Sequence, residues 1–245
     1  MFSRMLNALG VGGPSADTVL DSPRTVPGQV ITGQAHLQGG RSEAVISQVV
    51  LSLVTSVEAE HGDRELHRVV ARRAIRVLPG EVVSIPFQLA VPWETPITAV
   101  GGLWLPGVSV GVRTEVFVAG VSVHDDLDVV QVEPAPGQRK VLEAFGQLGF
   151  RLRGSGVDAG RLPGVRHEPG YYQEIELVAP ARYADRIGEV ELTFVAGEHE
   201  LHVILEADGR GGGPLGLFHA THQAVLTLDW PALIGAWLEE VASEG

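Results

Sequence analysis

Apolar and polar residues alternate along most of this chain with a period of two. Between Val45 and Val57 the odd positions Val45, Val49, Leu51, Leu53 and Val57 are apolar, while Gln48, Ser52 and Ser56 stand among their even neighbours. Val83, Ile85, Phe87, Leu89 and Val91 alternate with Ser84 and Gln88. Val108, Val110, Val112, Val116 and Val118 alternate with Ser109, Arg113 and Glu115. In the second half Ile175 and Leu177 alternate with Glu174 and Glu176, and Val190, Leu192 and Phe194 with Glu189, Glu191 and Thr193. Leu201, Val203, Leu205 and Ala207 do the same with Glu200, His202 and Glu206. Successive side chains of a strand point to opposite faces of a sheet, so each run predicts one buried and one wet face. That is the pattern of an antiparallel sandwich strand. Turn signals at Pro27-Gly28, Gly39-Gly40, Pro79-Gly80, Gly101-Gly102 and Ala196-Gly197 punctuate the runs. No long helix separates them, which argues for an all-β fold of sandwiches and against a parallel α/β sheet.

Helical spacing is confined to three short stretches. Phe2, Met5, Leu6 and Leu9 form the first stripe, ahead of the breaker Gly10 to Pro14, and Val141, Leu142, Phe145 and Leu148 form the second. Leu233, Ile234, Trp237, Leu238 and Val241 form the third, with Asp229 placed to cap it just before Pro231. The apolar stripes of the two terminal helices predict docking on protein, either on the chain's own sandwiches or on a second copy in a homo-oligomer. After His124 the strand pattern gives way to polar residues, and Pro134 and Pro136 stiffen a connector. The expected organisation is therefore an N-terminal sandwich with a short helix over residues 1–128, a linker over 129–136, and a C-terminal sandwich with an amphipathic helix over 137–245. Two short echoes recur in the same order: Phe87 to Pro92 matches Ile175 to Pro180, and Phe117 to Gly120 matches Phe194 to Gly197. Two related sandwiches in tandem account for both.

Composition narrows the chemistry. Hydrophobic residues make up 44% and charged residues 20%, which supports a packed core. The absence of cysteine excludes disulfides, thiolate metal sites and cysteine nucleophiles, and suits a reducing compartment. A net charge of −12 disfavours nucleic-acid binding. The opening residues do not read as a secretory signal, and no window approaches the roughly 18 apolar residues of a membrane span. The expected location is the cytoplasm.

Catalytic frames are missing. Ser155 in Gly154-Ser155-Gly156 lacks the G-x-S-x-G frame, and Gly209 to Pro214 lacks the Lys-Ser/Thr end of a phosphate loop. His124 adjoins Asp125 and Asp126, but adjacent strand residues point apart. Among the nine histidines, His199 and His202 lie three apart and face opposite ways on a strand, so they do not share an ion. His219 and His222 can approach in a turn, without a nearby carboxylate to complete a set. The expectation is a binding protein with no catalytic residue, no metal and no cofactor.

What stands out is acidic. Glu174, Glu176, Glu189, Glu191, Glu200 and Glu206 occupy outward positions of three consecutive strands. Like charges set opposite one another weaken a sheet. The field is either a solvated face, or a docking surface for a basic partner or a weak divalent-cation patch. Four tryptophans supply an alternative, a carbohydrate- or ligand-binding module. Trp93 and Trp104 flank a loop rich in Pro and Gly, and Trp230 and Trp237 belong to the terminal helix.

The segment Pro27 to Leu37 resembles the opening strand of arrestin-type domains, and Leu78 to Glu81 through Ile85 to Pro92 is similar to their central strand. Within that superfamily four features resemble the bacterial sporulation-control (SpoOM) family: the stripe Phe2 to Leu9, the run Thr114 to Asp128, the segment Leu148-Gly149-Phe150, and Tyr172 to Glu176. The resemblance implies two arrestin-like β-sandwich domains joined by a short linker, in a cytoplasmic scaffold or regulator that acts through protein–protein interaction. It also implies a charged cluster near the domain boundary, for which Asp125, Asp126 and Asp128 are the candidates, with an arginine as partner.

Overall fold

The computed structural model describes residues 13–57, 63–118, 121–162, 165, 167, 170–208 and 215–244. The stripe Phe2 to Leu9 lies outside them. In chain order the strands are β1 (Ser15–Leu20), β2 (Arg24–Thr25), β3 (Val30–Gln38), β4 (Ala44–Ser56), β5 (Asp63–Val77) and β6 (Val82–Ala90). They continue with β7 (Ala99–Val100), β8 (Leu103–Trp104), β9 (Val110–Val118), β10 (Val121–Val129) and β11 (Gln131–Val132). Helix α1 (Pro136–Gln147) precedes β12 (Arg151–Ala159), β13 (Tyr171–Val178), β14 (Glu189–Ala196), β15 (Glu200–Asp208) and β16 (Gly216–Thr221). A single turn α2 (His222–Val225) and the helix α3 (Trp230–Glu244) follow. The molecule is mostly β, and its strands pair antiparallel, as the alternation requires.

Two compact units emerge. Among the described residues, one gathers those up to Thr55 with Arg64–Pro92 and Val110–Gln131; the other takes those of Ser56–Asp63, Trp93–Ser109 and from Val132 onward. In the first, a three-stranded sheet of order β1-β3-β6 and a four-stranded sheet of order β10-β9-β4-β5 enclose a core of Ala35, Leu37, Ile46, Val49, Ile85 and Val116, among others. A buried hydrogen bond of 2.7 Å between the hydroxyls of Thr18 and Thr114 ties β1 to β9. Gly33 sits where β1 passes so close that a Cβ would fall 2.4 Å from the carbonyl oxygen of Val19, so only glycine fits. The expected turn at Pro79-Gly80 forms, with Gly80 at φ +72°.

Two local expectations for this unit fail. Val45 points outward and is 59% exposed, whereas Ile46 is fully buried. A bulge between Ile46 and Gln48, opposite Phe117 and Val118 of β9, reverses the phase of alternation. The strand pattern also does not stop near Asp125: β10 runs on through Asp126 and Asp128 to Val129, paired with β9 as far as Gly111.

The second unit is organised around a five-stranded sheet in sequence order, β12-β13-β14-β15-β16. Its inner face carries Ile175, Leu177, Val190, Leu192, Leu201, Val203 and Leu205, all buried. These pack with Val141, Leu142 and Phe145 of α1 and with Trp230, Ile234, Trp237, Leu238 and Val241 of α3. The stripe expected of the C-terminal helix is therefore covered by the chain's own sheet. Each large side chain so buried contributes roughly 1.5–3 kcal/mol, which outweighs the cost of ordering a short helix. Asp229 caps α3 as expected, its carboxylate accepting from the Ala232 N–H at 3.2 Å. Trp230 is anchored at its polar end, its indole N–H donating to the Val225 carbonyl at 2.8 Å.

Candidate functional site

The outer face of the five-stranded sheet carries the acidic residues, because they alternate with the buried apolar ones. Antiparallel register sets Glu176 of β13 opposite Glu191 of β14, and Glu191 opposite Glu206 of β15. Glu189 stands opposite Asp208. Glu174 of β13 lies across from Gly156 of β12, with Asp158 two positions along that strand and within its electrostatic reach. Three carboxylates in direct cross-strand succession repel, and water is partly excluded. Glu174 is pushed up to about 7, first by burial, then by Glu191 and Asp158. Glu191 is also raised, by burial and then by Glu206.

One arginine is woven into the row. A bulge between Leu152 and Gly154 of β12 interrupts the register at Arg153, whose guanidinium bonds Glu176 at 2.8 Å and Glu189 at 2.8 Å. Glu189 nonetheless stays above its ordinary range, because burial outweighs the attraction of Arg153. Gly154 leaves room for this bridge: a Cβ there would stand 3.2 Å from the Glu176 carboxylate.

The structure thus brings five of the six glutamates together and sets the sixth apart. Glu200 begins β15, six residues before Glu206, about 20 Å away along an extended strand. Between them on the same face lie His202 and the buried Ile204, which pairs with Thr193 and Leu217. Glu200 is held below its ordinary range, chiefly by a hydrogen bond from His219.

His202 meets His219 across the β15–β16 hairpin rather than pairing with His199 along the strand. Their rings stack 4.3 Å apart at 16°. The His219 Nε2 lies 2.7 Å from one Glu200 oxygen and the His202 Nε2 3.5 Å from the other. The carboxylate that the sequence reading did not find beside His219 is therefore Glu200. His222 is engaged elsewhere, its Nε2 2.8 Å from the Gly197 carbonyl and its ring stacked on Trp93. The signal available in the sequence was the Gly-rich segment 209–214 between the two strand runs, which predicts that they pair.

The candidates on β10 belong to the first unit. Asp126 and Asp128 lie two apart and so share a face of the strand, with Leu127 between them and Asp125 just before. Asp128 is raised to about 6, by burial first and then by the like charges of Asp126 and Asp17. Its Oδ2 is buried without a hydrogen-bond partner.

The tryptophans offer little platform. Trp230 and Trp237 are 1% and 6% exposed within the core, and Trp93 lies under His222; Trp104 stands out with Leu103 in β8.

Comparison with known proteins places this architecture. The family described as SpoOM protein matches residues 2–211. The sporulation-control protein spo0M of Bacillus subtilis (strain 168) is 30% identical over 251 residues, a match covering 100% of this chain and 86% of that protein. The crystal structure of Spo0M, sporulation control protein, from Bacillus subtilis superposes with a TM-score of 0.80 at 25% identity. It covers 94% of this chain and 100% of the other, and it shares the arrestin-like, antiparallel β architecture.

Proposed function

The chain belongs to the SpoOM protein family, and from that premise we propose that it is a cytoplasmic sporulation-control regulator, a scaffold that docks a basic protein segment on the carboxylate row of its second unit. The observation that carries the reading is the succession Glu176, Glu191 and Glu206 across three paired strands. Such a row is costly for the free protein, because the repulsion is only partly relieved by Arg153. An extended segment with Lys or Arg at alternate positions relieves it, and its attraction to the face also speeds encounter. The fit is electrostatic, and the reading assigns no catalytic residue.

A fluorescently labelled Lys/Arg-rich peptide titrated with the full chain tests this. Binding is expected to weaken steeply with salt and to strengthen from about pH 6 to about pH 8, as Glu174 loses its proton. The E176Q/E191Q/E206Q triple variant is expected to lose at least roughly tenfold in affinity, about 1.4 kcal/mol. E200Q, at the far end of the face, is expected to bind as the unmodified chain does. Equal binding by the triple variant, or no binding by the unmodified chain at low salt, refutes the proposal.

A further inference from the structure

We propose that Glu200, His202 and His219 form a labile site for a transition-metal dication of the Cu2+ or Zn2+ class. One ligand atom from each residue lies within 4.8 Å of the other two. Both imidazoles turn the same nitrogen, Nε2, toward one carboxylate, at 2.7 and 3.5 Å. Metal–ligand bonds of about 2.0–2.2 Å place the ligands of one ion roughly 3–3.5 Å apart. The observed spacing needs only small side-chain rotations to reach this. Glu200 and His219 are about half exposed and free to make them.

The backbone enforces the convergence. His202 and His219 are direct cross-strand partners, and Glu200 is two residues from His202, hence on the same face. Stacking at 4.3 Å and 16° holds the two rings side by side. A divalent ion engages both nitrogen lone pairs at once and takes the place of any proton shared between Nε2 and Glu200. The donor set is two imidazoles and one carboxylate, which selects Cu2+, Zn2+ or Ni2+ over the oxygen-seeking Ca2+ and Mg2+. Three protein ligands on an exposed face leave coordination positions open to water, so the ion exchanges readily. This site is separate from the carboxylate row, and it departs from the sequence expectation of no metal.

The test uses the full chain, freed of metal with EDTA and titrated with CuCl2 and separately with ZnCl2 against a chromophoric chelator. One equivalent is expected to bind, more tightly for Cu2+, with affinity falling in acid because protons compete for the ligand atoms. H202Q and H219Q are each expected to weaken binding by at least about tenfold, H199Q not at all, and excess Mg2+ is not expected to compete. NMR of the histidine ring protons should show His202 and His219 responding first to Zn2+. Absence of saturable 1:1 binding, or unchanged binding in the H202Q/H219Q double variant, overturns the proposal.

Discussion

The two faces of the five-stranded sheet are built from the same strands and differ in every physical respect. On the inner face Leu192, Leu205 and Val203 are sealed beneath α1 and α3. On the outer face their immediate neighbours Glu191, Glu206 and His202 are polar, and carboxyl groups at the two ends of that face are shifted in opposite directions. Glu174 is driven up by burial and like charge, whereas Glu200 is drawn down by imidazole partners. The inner face is optimised for stability. The outer face tolerates repulsion that the fold does not need, and the strength of the inner face is what permits it.

The sharpest way to break this comparison is to weaken the inner face. Leu192 is fully buried, opposite Ile175 on one side and Leu205 on the other. Leu192→Ala is expected to cost about 2–5 kcal/mol, measured by urea denaturation, through lost apolar transfer and a residual cavity. A cost near zero would mean that α1 and α3 do not close over the sheet in solution.

This inner face was legible in the sequence because alternation is a local signal. Ile175, Leu177, Val190, Leu192, Leu201, Val203, Leu205 and Ala207 all lie where the period of two puts them. The stripe of α3 and its cap at Asp229 were legible for the same reason. Val45 was not, because a bulge shifts phase without leaving a mark in the residues themselves. The outer face was legible as a list of glutamates but not as a site. Which carboxylates meet depends on register, a relation between strands, so the succession Glu176, Glu191 and Glu206 emerges only in three dimensions. His202 and His219, 17 positions apart, were brought together by that same register.

The next prediction has an opposite sign. Glu174 has a folded pKa of about 7, above its ordinary 4.5, so the folded chain binds more protons than the unfolded chain between those values. Its contribution therefore falls as pH rises through that window. Glu174→Gln removes the penalty and is expected to stabilise the protein at about pH 8 by about 1 kcal/mol, after allowance for the solvent that screens a half-buried group. Below about pH 4.5 the gain should vanish, since the native residue is then protonated in both states. Urea midpoints across this range check it, and a constant difference would mean that the effect is packing rather than charge.

The smallest effect is expected at the other end of the face, and its value lies in its sign. Glu200 has a folded pKa below its ordinary value, so its contribution is present above the unfolded carboxyl range and is lost as pH falls through the folded pKa. Glu200→Gln should therefore lower the melting temperature above about pH 5 and lose that effect as pH falls to about 3. Glu200 and its partner His219 are exposed, so the shift should be small against that of Leu192→Ala. Glu174→Gln and Glu200→Gln are thus the same chemical change on one face of one sheet, with opposite expected signs, and both effects fade in acid. If both variants move the melting temperature the same way at every pH, neighbouring groups do not set the charge state of this face. The separation of the outer face into a carboxylate row and a histidine–carboxylate cluster then fails with it.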